Sequence, residues 1–163
     1  MSKASDLVDV TSVVTQSDYD QLASAQQDKI NENGWYFYLD NNTGPTERVT
    51  QEATVINGIV FFTSFLPNSD PCGPGGDYRL YSVNFKNGLP GMLGNLMVMS
   101  GVAADKRYKT LGQGMPSQPV FHFNPITKKS TLFIQSSDAT VVSEEVNVGK
   151  RPMMVTSWQK NTN

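Results

Sequence analysis

Between Ile59 and Tyr81 the chain reads IVFFTSFLPNSDPCGPGGDYRLY, and this stretch leaves few options for the fold. Ile59 to Phe62, with Phe65 and Leu66 just beyond, is an apolar run of β-branched and aromatic residues, the types that fit a pleated, packed surface. A second run, Leu80 to Phe85, alternates Leu80, Ser82 and Asn84 against Tyr81, Val83 and Phe85. The segment between the runs resists regular structure. Pro67, Pro71 and Pro74 fix φ and lack an N–H donor, while Gly73, Gly75 and Gly76 reach backbone angles closed to other residues. Two strands joined by an ordered loop is the simplest arrangement. The loop residues Asp70, Pro71, Cys72, Gly75, Gly76 and Asp77, together with Trp35, are expected to position strands and not to bind substrate.

Upstream, Asp6 to Thr15 is short, β-branched and strand-like. Ser17 offers a helix N-cap with Asp20 three residues on. Tyr19, Leu22, Ala23 and Ile30 then fall on one helical face, and Gly34 supplies a stop, so one amphipathic helix is expected over 18–33. Residues 1–33 are thus an N-terminal segment with a single helix. From Trp35 the period changes to that of strands. Trp35–Leu39 is one strand, and Asn57-Gly58 is a two-residue hairpin signal between Val55-Ile56 and Ile59-Val60. Trp35–Leu39, Glu52–Ile56 and Ile59–Phe65 are expected to share one antiparallel sheet, with Tyr78–Asn84 following.

Gly88, Pro90, Gly91 and Gly94 punctuate the next stretch, in which Leu96–Val102 and Arg107–Leu111 are strand candidates. Met92, Met97 and Met99 there are read as core filling or a partner surface, since methionine adapts to irregular contacts. Gln118–Asn124, Thr131–Gln135 and Thr140–Val146 are three further strands separated by turns, and Pro152–Trp158 closes the pattern. The tail, 159–163, is expected to be disordered. Many short strands with a turn every ten or so residues favour a mainly β fold: a sandwich, barrel or propeller of antiparallel sheets. Propeller blades take roughly 40–50 residues, so residues 34–158 hold two to three blade-like units, fewer than the four or more that close a ring.

Composition narrows function. The net charge is −2, which offers no basic field for nucleic acid. Charged residues make up 17 %, with Asn, Gln, Ser and Thr in their place. No run approaches the ~18 apolar residues of a membrane span. No signal peptide opens the chain. Cys72 is the only cysteine, so an internal disulfide is impossible and it is a small packed residue, a free thiol or half of a bridge to chain outside this sequence. His122, the only histidine, alternates with Phe121 and Phe123 and is read as a strand histidine, not a base. Glu144 and Glu145 point to opposite faces of their strand and cannot act as a pair. Asp70 and Asp77 flank the glycine loop, yet no D-x-[DN]-x-[DN]-G run exists, so no metal or cofactor is assigned. No nucleophile–base pair and no phosphate loop is present, and no catalytic residue is assigned.

A set of ordered strings carries a resemblance. Gly34-Trp35-Tyr36 and Leu39 precede Glu47-Arg48-Val49. Val60-Phe61-Phe62-Thr63, Phe65 and Pro67 come next, then Asp70-Pro71-Cys72 with Gly75-Gly76, then Leu80-Tyr81. Gly114-Met115-Pro116-Ser117 with Pro119-Val120 follows, then Gln135-Ser136-Ser137 leading to Val141, and finally Ser157-Trp158. From Gly34 to Trp158 the chain resembles the C-terminal module of the PilY (PilC-like) family, the tip-associated adhesion and biogenesis proteins of type IV pili. The resemblance implies a partial β-propeller, a place at the bacterial cell envelope, outer-membrane surface or pilus tip, and a non-enzymatic role in fimbrium biogenesis and cell adhesion. Its implied partners are minor pilins or other tip components and a host or surface receptor. The family's calcium loop has no counterpart here, so calcium belongs to the full-length protein only. The length is that of a fragment or a split gene product, and the strand edges and blade faces of such a piece are expected to be covered by self-association or by the N-terminal segment. Two other readings stand beside it: a generic surface-binding β domain, and a quinoprotein-dehydrogenase-like propeller fragment, whose adjacent cysteine pair and calcium-binding acids are missing.

Overall fold

The computed structural model describes residues 6–39, 46–68, 75–93 and 96–149. In chain order the elements are β1 (Val8–Asp9), α1 (Gln16–Asp20), α2 (Ser24–Asn33), β2 (Trp35–Tyr36), β3 (Arg48–Val49), β4 (Thr54–Ile56), β5 (Ile59–Leu66), β6 (Asp77–Asn84), β7 (Met92–Leu93), β8 (Leu96–Met97), β9 (Tyr108–Gln113), β10 (Val120–Phe123), β11 (Ser130–Gln135) and β12 (Val141–Val146). The fold is mainly β, with short antiparallel strands and two helices. One sheet has five strands in the order β3-β5-β6-β9, with β4 also on β5; another is the meander β10-β11-β12. The described residues close neither a barrel nor a propeller, and no helix is long and apolar enough to cross a membrane.

The centre is the long hairpin β5–β6, paired over eight residues from Ile59↔Asn84 to Leu66↔Asp77. Its strands are those expected from the two apolar runs. Asn57 and Gly58 turn β4 into β5 with φ of 48° and 80°, the two positive φ values that a type I′ turn requires. Alternation then sorts side chains by face. Ile59, Phe61, Tyr78 and Leu80 look toward Leu132, Ile134 and Val146 of the three-stranded sheet, and Met99 and Val98 fill the space between the layers. Each of these large side chains contributes about 1.5–3 kcal/mol by leaving water. Lys109 crosses from β9 to the Glu144 carboxylate at 2.8 and 2.9 Å. Glu145, one residue on, pairs outside with Lys129, as alternation requires.

The opposite face of β6 is covered too: Tyr81 is 2 % exposed. The cover is the N-terminal segment, whose Val10, Val13 and Ile30 cluster with Leu89, Leu22, Trp35 and Phe37. Three expectations change here. First, Trp35–Leu39 does not join the antiparallel sheet. Only Trp35 and Tyr36 form a ladder, parallel to Val8 and Asp9, because the edge of β5 is already taken by β3 and β4. The aromatic run lies across the sheet face instead, with Phe37 stacked on Tyr81 at 6.2 Å. Second, the expected helix over 18–33 is two helices. Gln26 and Gln27 stand where a continuous apolar stripe would need a core residue, and the chain breaks at Gln21–Ala23. The Gln27 side chain then donates to the carbonyls of Tyr19 and Leu22 on either side of the break, at 3.2 and 3.1 Å. Third, the first cap is Thr15, not Ser17. The Thr15 hydroxyl accepts from the Asp18 N–H, and the Asp18 carboxylate accepts from the Thr15 N–H at 2.8 Å. Thr15→Ala is expected to cost about 1 kcal/mol, read as a fall in the urea midpoint, whereas Ser17→Ala is expected to leave it within error.

Downstream, Leu96–Val102 supplies only the two residues of β8, and β9 starts at Tyr108. The last three strands lie where expected. Met99 is fully buried, while Met92 and Met97 face each other across β7–β8. Pro152–Trp158 and the tail 159–163 lie outside the described residues.

Candidate functional site

Three polar constellations are set into this frame, and two of them hold charges out of water. The first is built on Glu47, at the entry to β3. Glu47 is 4 % exposed. Its carboxylate accepts from the Ser64 hydroxyl of β5, from Arg79 Nη1 at 2.8 Å and from the Tyr81 hydroxyl at 3.0 Å. Pairing puts Ser64 directly opposite Arg79, so β5 and β6 present one contiguous polar patch to the acid. Arg79 lies over the Tyr108 ring at 4.3 Å, and its buried Nε has no partner among the described residues. Burial, then the Glu47 charge, pushes the Tyr81 phenol well above its ordinary 10. The unfolded chain releases this proton near pH 10 and the folded protein keeps it, so the unfolded state gains as pH rises past that point. Stability is therefore expected to fall above about pH 10, and Tyr81→Phe is expected to flatten that fall in urea titrations at successive pH values.

The second is Arg107, 7 % exposed at the entry to β9. Its Nε donates to Gly88 O at 2.7 Å, Nη1 to Thr11 O at 3.1 Å, and Nη2 to Val10 O and Val13 O, both at 2.6 Å. The guanidinium also lies over the Phe37 ring at 4.7 Å. One side chain thus gathers the N-terminal segment onto the sheet. Among the described residues it has no carboxylate within ion-pair distance, and burial pulls its pKa down to about 10. Beside it opens a recess of about 270 Å³ walled by Phe37, Tyr38, Tyr81, Lys106 and Tyr108.

The third is a corner where the chain passes from one sheet to the other. Ser117 N donates to Gln135 O at 2.7 Å and Ser137 N to Met115 O at 2.9 Å. The hydroxyls return the favour: Gln135 N donates to Ser117 Oγ and Met115 N to Ser137 Oγ, each at 3.0 Å. Thr63 Oγ1 donates to Ser117 O at 2.9 Å, and Gly114 N to Gly76 O at 2.9 Å. Gly76 has φ of 114°, and a Cβ there would stand 2.3 Å from Leu66 O, so only glycine closes the long loop onto β5.

Of the loop residues expected to position strands, Gly75, Gly76 and Asp77 lie at the start of β6; Asp70, Pro71 and Cys72 lie outside the described residues. Asp77 pairs with Leu66 and Gln113. Trp35 donates from its indole to Phe85 O at 3.0 Å and so ties β2 to the far end of β6. His122 sits on the outer face of β10–β12, edge-on to Phe133 at 6.4 Å. Among the described residues no three His, Cys, Asp or Glu side chains converge. The residues that sequence reasoning missed are Arg107, Lys106 and Tyr108. Arg107 figured only as the start of a strand, although two cations against an aromatic are an available signal.

Comparison with family models, with curated proteins and with solved structures finds no match to this chain.

Proposed function

We propose that this chain is a non-enzymatic module of the PilY (PilC-like) kind, acting in type IV pilus biogenesis and tip-associated adhesion through protein–protein contacts at the bacterial surface. The five-stranded sheet and β10–β12 are then two consecutive blades of a β-propeller, stacked face to face. One observation supports this above the others: strings that carry the resemblance meet in space. Gly114–Ser117, Gln135–Ser137, Thr63 and Gly76 are separate in sequence and share one hydrogen-bonded corner. Glu47 and Tyr81, from two more strings, share another. Strings that share contacts are consistent with a common structural role, and that is the support they lend this reading.

A propeller blade stacks on a neighbour through each face. The outer face of β10–β12 presents Val120 and Val141, 61 % and 60 % exposed, with Phe133 between them, which suits a further sheet, a minor pilin or a second copy of the chain. The experiment is a surface-pilus count in the source bacterium after deletion of the coding stretch for residues 34–158, with immunoblots for pilin and for the remaining protein. Few or no pili with pilin still made supports the assembly role. Normal pilus numbers overturn it, and attachment assays on those cells then separate an adhesin from a surface protein outside the pilus system.

A further inference from the structure

We propose that the recess between the N-terminal segment and β9 is a binding site for an acidic sugar, a single pyranose ring bearing a carboxylate. The size comes first. At about 270 Å³ it falls just below the ~300–1,000 Å³ of sites that take drug-sized ligands, which leaves room for one ring and not for a nucleotide or an oligosaccharide. The walls come second. Phe37, Tyr38 and Tyr108 supply the aromatic walls, and Tyr81, buried beneath them, closes the base, 6.2 Å from Phe37 and 5.2 Å from Tyr108 between ring centroids. Tyr38, 67 % exposed, stands at the rim. The negative face of an aromatic ring receives the weakly positive C–H edge of a sugar.

Charge selects among sugars. Arg107 has five N–H donors, and the four carbonyls it binds leave one hydrogen on Nη1 without an acceptor among the described residues. Lys106 is exposed, forms no ion pair among the described residues, and holds its Nζ 6.0 Å from the Tyr108 centroid. Two cations therefore face the recess against one carboxylate, Asp105. Asp9 lies behind Arg107, but its carboxylate is taken by the Thr11 N–H and hydroxyl at 2.8 and 2.6 Å. A ligand carboxylate gains charge-assisted hydrogen bonds from Arg107 and Lys106, while Asp105 accepts from ring hydroxyls. A cationic ligand is disfavoured because Arg107 and Lys106 already face the recess.

The site goes beyond the pilus assignment and does not rest on it, since it is read from the recess alone. It is tested by amide chemical-shift titration of the purified chain with sodium glucuronate, methyl glucoside and sodium acetate. Glucuronate is expected to shift the amides of Phe37, Lys106 and Tyr108 and to saturate. Methyl glucoside is expected to bind the same residues about tenfold more weakly, the loss of one charged hydrogen bond. Lys106→Gln is expected to narrow that difference, Arg107 carrying what remains, and Tyr108→Leu to weaken both sugars with the preference for glucuronate kept. Equal affinity for the two sugars overturns the role of the cations. Acetate shifts matching those of glucuronate overturn sugar recognition. Absence of a saturable shift at these residues overturns the site altogether, whatever the pilus count shows.

Discussion

Glu47→Ala is expected to lower the unfolding free energy by about 3–5 kcal/mol, the range for breaking a buried ion pair from one side. The size follows from what is left behind. Arg79 on β6 remains largely buried, its side chain 15 % exposed, with Nε already unpartnered among the described residues, and it loses the only carboxylate it pairs with there. Ser64 and Tyr81 lose their acceptor as well. Glu47→Gln keeps an acceptor oxygen and removes the charge, so a smaller loss is expected. The decisive comparison is the double variant Glu47→Met, Arg79→Met, which removes both charges and fills the volume with apolar atoms. It is expected to recover most of the loss in urea titrations, because a buried pair is costly to break yet close to neutral to replace. A single-variant loss under 1 kcal/mol would mean that water reaches this patch.

Arg107→Ala is expected to produce a local effect of similar size. Four backbone carbonyls lose this donor; Val10 O keeps the Val13 N–H at 3.1 Å, and each carbonyl left without a partner costs about 1–3 kcal/mol when no water replaces the donor. Water entering the gap recovers part, leaving a loss of about 3–5 kcal/mol. The loss is expected to concentrate in the N-terminal segment, which touches the sheet through this side chain and the cluster around Val10 and Leu89. Native-state hydrogen exchange reads this directly. The Val10 amide, bonded to Tyr36 O at 2.9 Å, is expected to lose protection while the β5–β6 amides keep theirs, the signature of a separately opening unit. A uniform fall in protection would instead make the segment part of one cooperative fold. Arg107→Lys is expected to restore little, because a point charge cannot span carbonyls that the planar fork reaches together.

These two residues also mark the limit of what the sequence discloses. Asn57-Gly58 was enough to place a hairpin, because the turn chemistry is local and the flanking runs alternate. Leu80 to Phe85 declared its two faces, and both are buried from Leu80 to Val83, whereas Phe85 is 52 % exposed. Trp35 to Leu39 shows why a strand pattern is incomplete: alternation describes an extended chain but not its partner, and the edge it was expected to fill was occupied by Arg48–Val49. The helix break at Gln21–Ala23 is written in Gln26 and Gln27, yet only the packing of Leu22 and Ile30 into one small cluster makes the break pay. Glu47 finds its partners 17, 32 and 34 residues away, and no local signal announces a carboxylate whose environment is assembled at such range. The recess is harder still, since its walls come from residues 37–38, 81 and 106–108 and exist only once the segment has docked. What the sequence did expose was the corner strings, whose glycines and serines have backbone and hydroxyl duties set by close approach.

The long reach of Arg107 has a consequence for synthesis. The carbonyls it holds, at Val10, Thr11 and Val13, lie 94 to 97 residues earlier in the chain. A chain growing from its N-terminus has finished Trp35, Phe37 and Tyr38 roughly 70 residues before Arg107 exists, a wait of about 3–14 s at ordinary elongation rates. Until β6 is made the aromatic run has no sheet face to lie on, and throughout the interval the three carbonyls have no guanidinium. The same aromatic surface that later walls the recess is, on the ribosome, an adhesive ribbon open to any nascent neighbour. Slow codons placed before Arg107 would lengthen this exposure, and a holdase bound at residues 35–38 would shorten its effect.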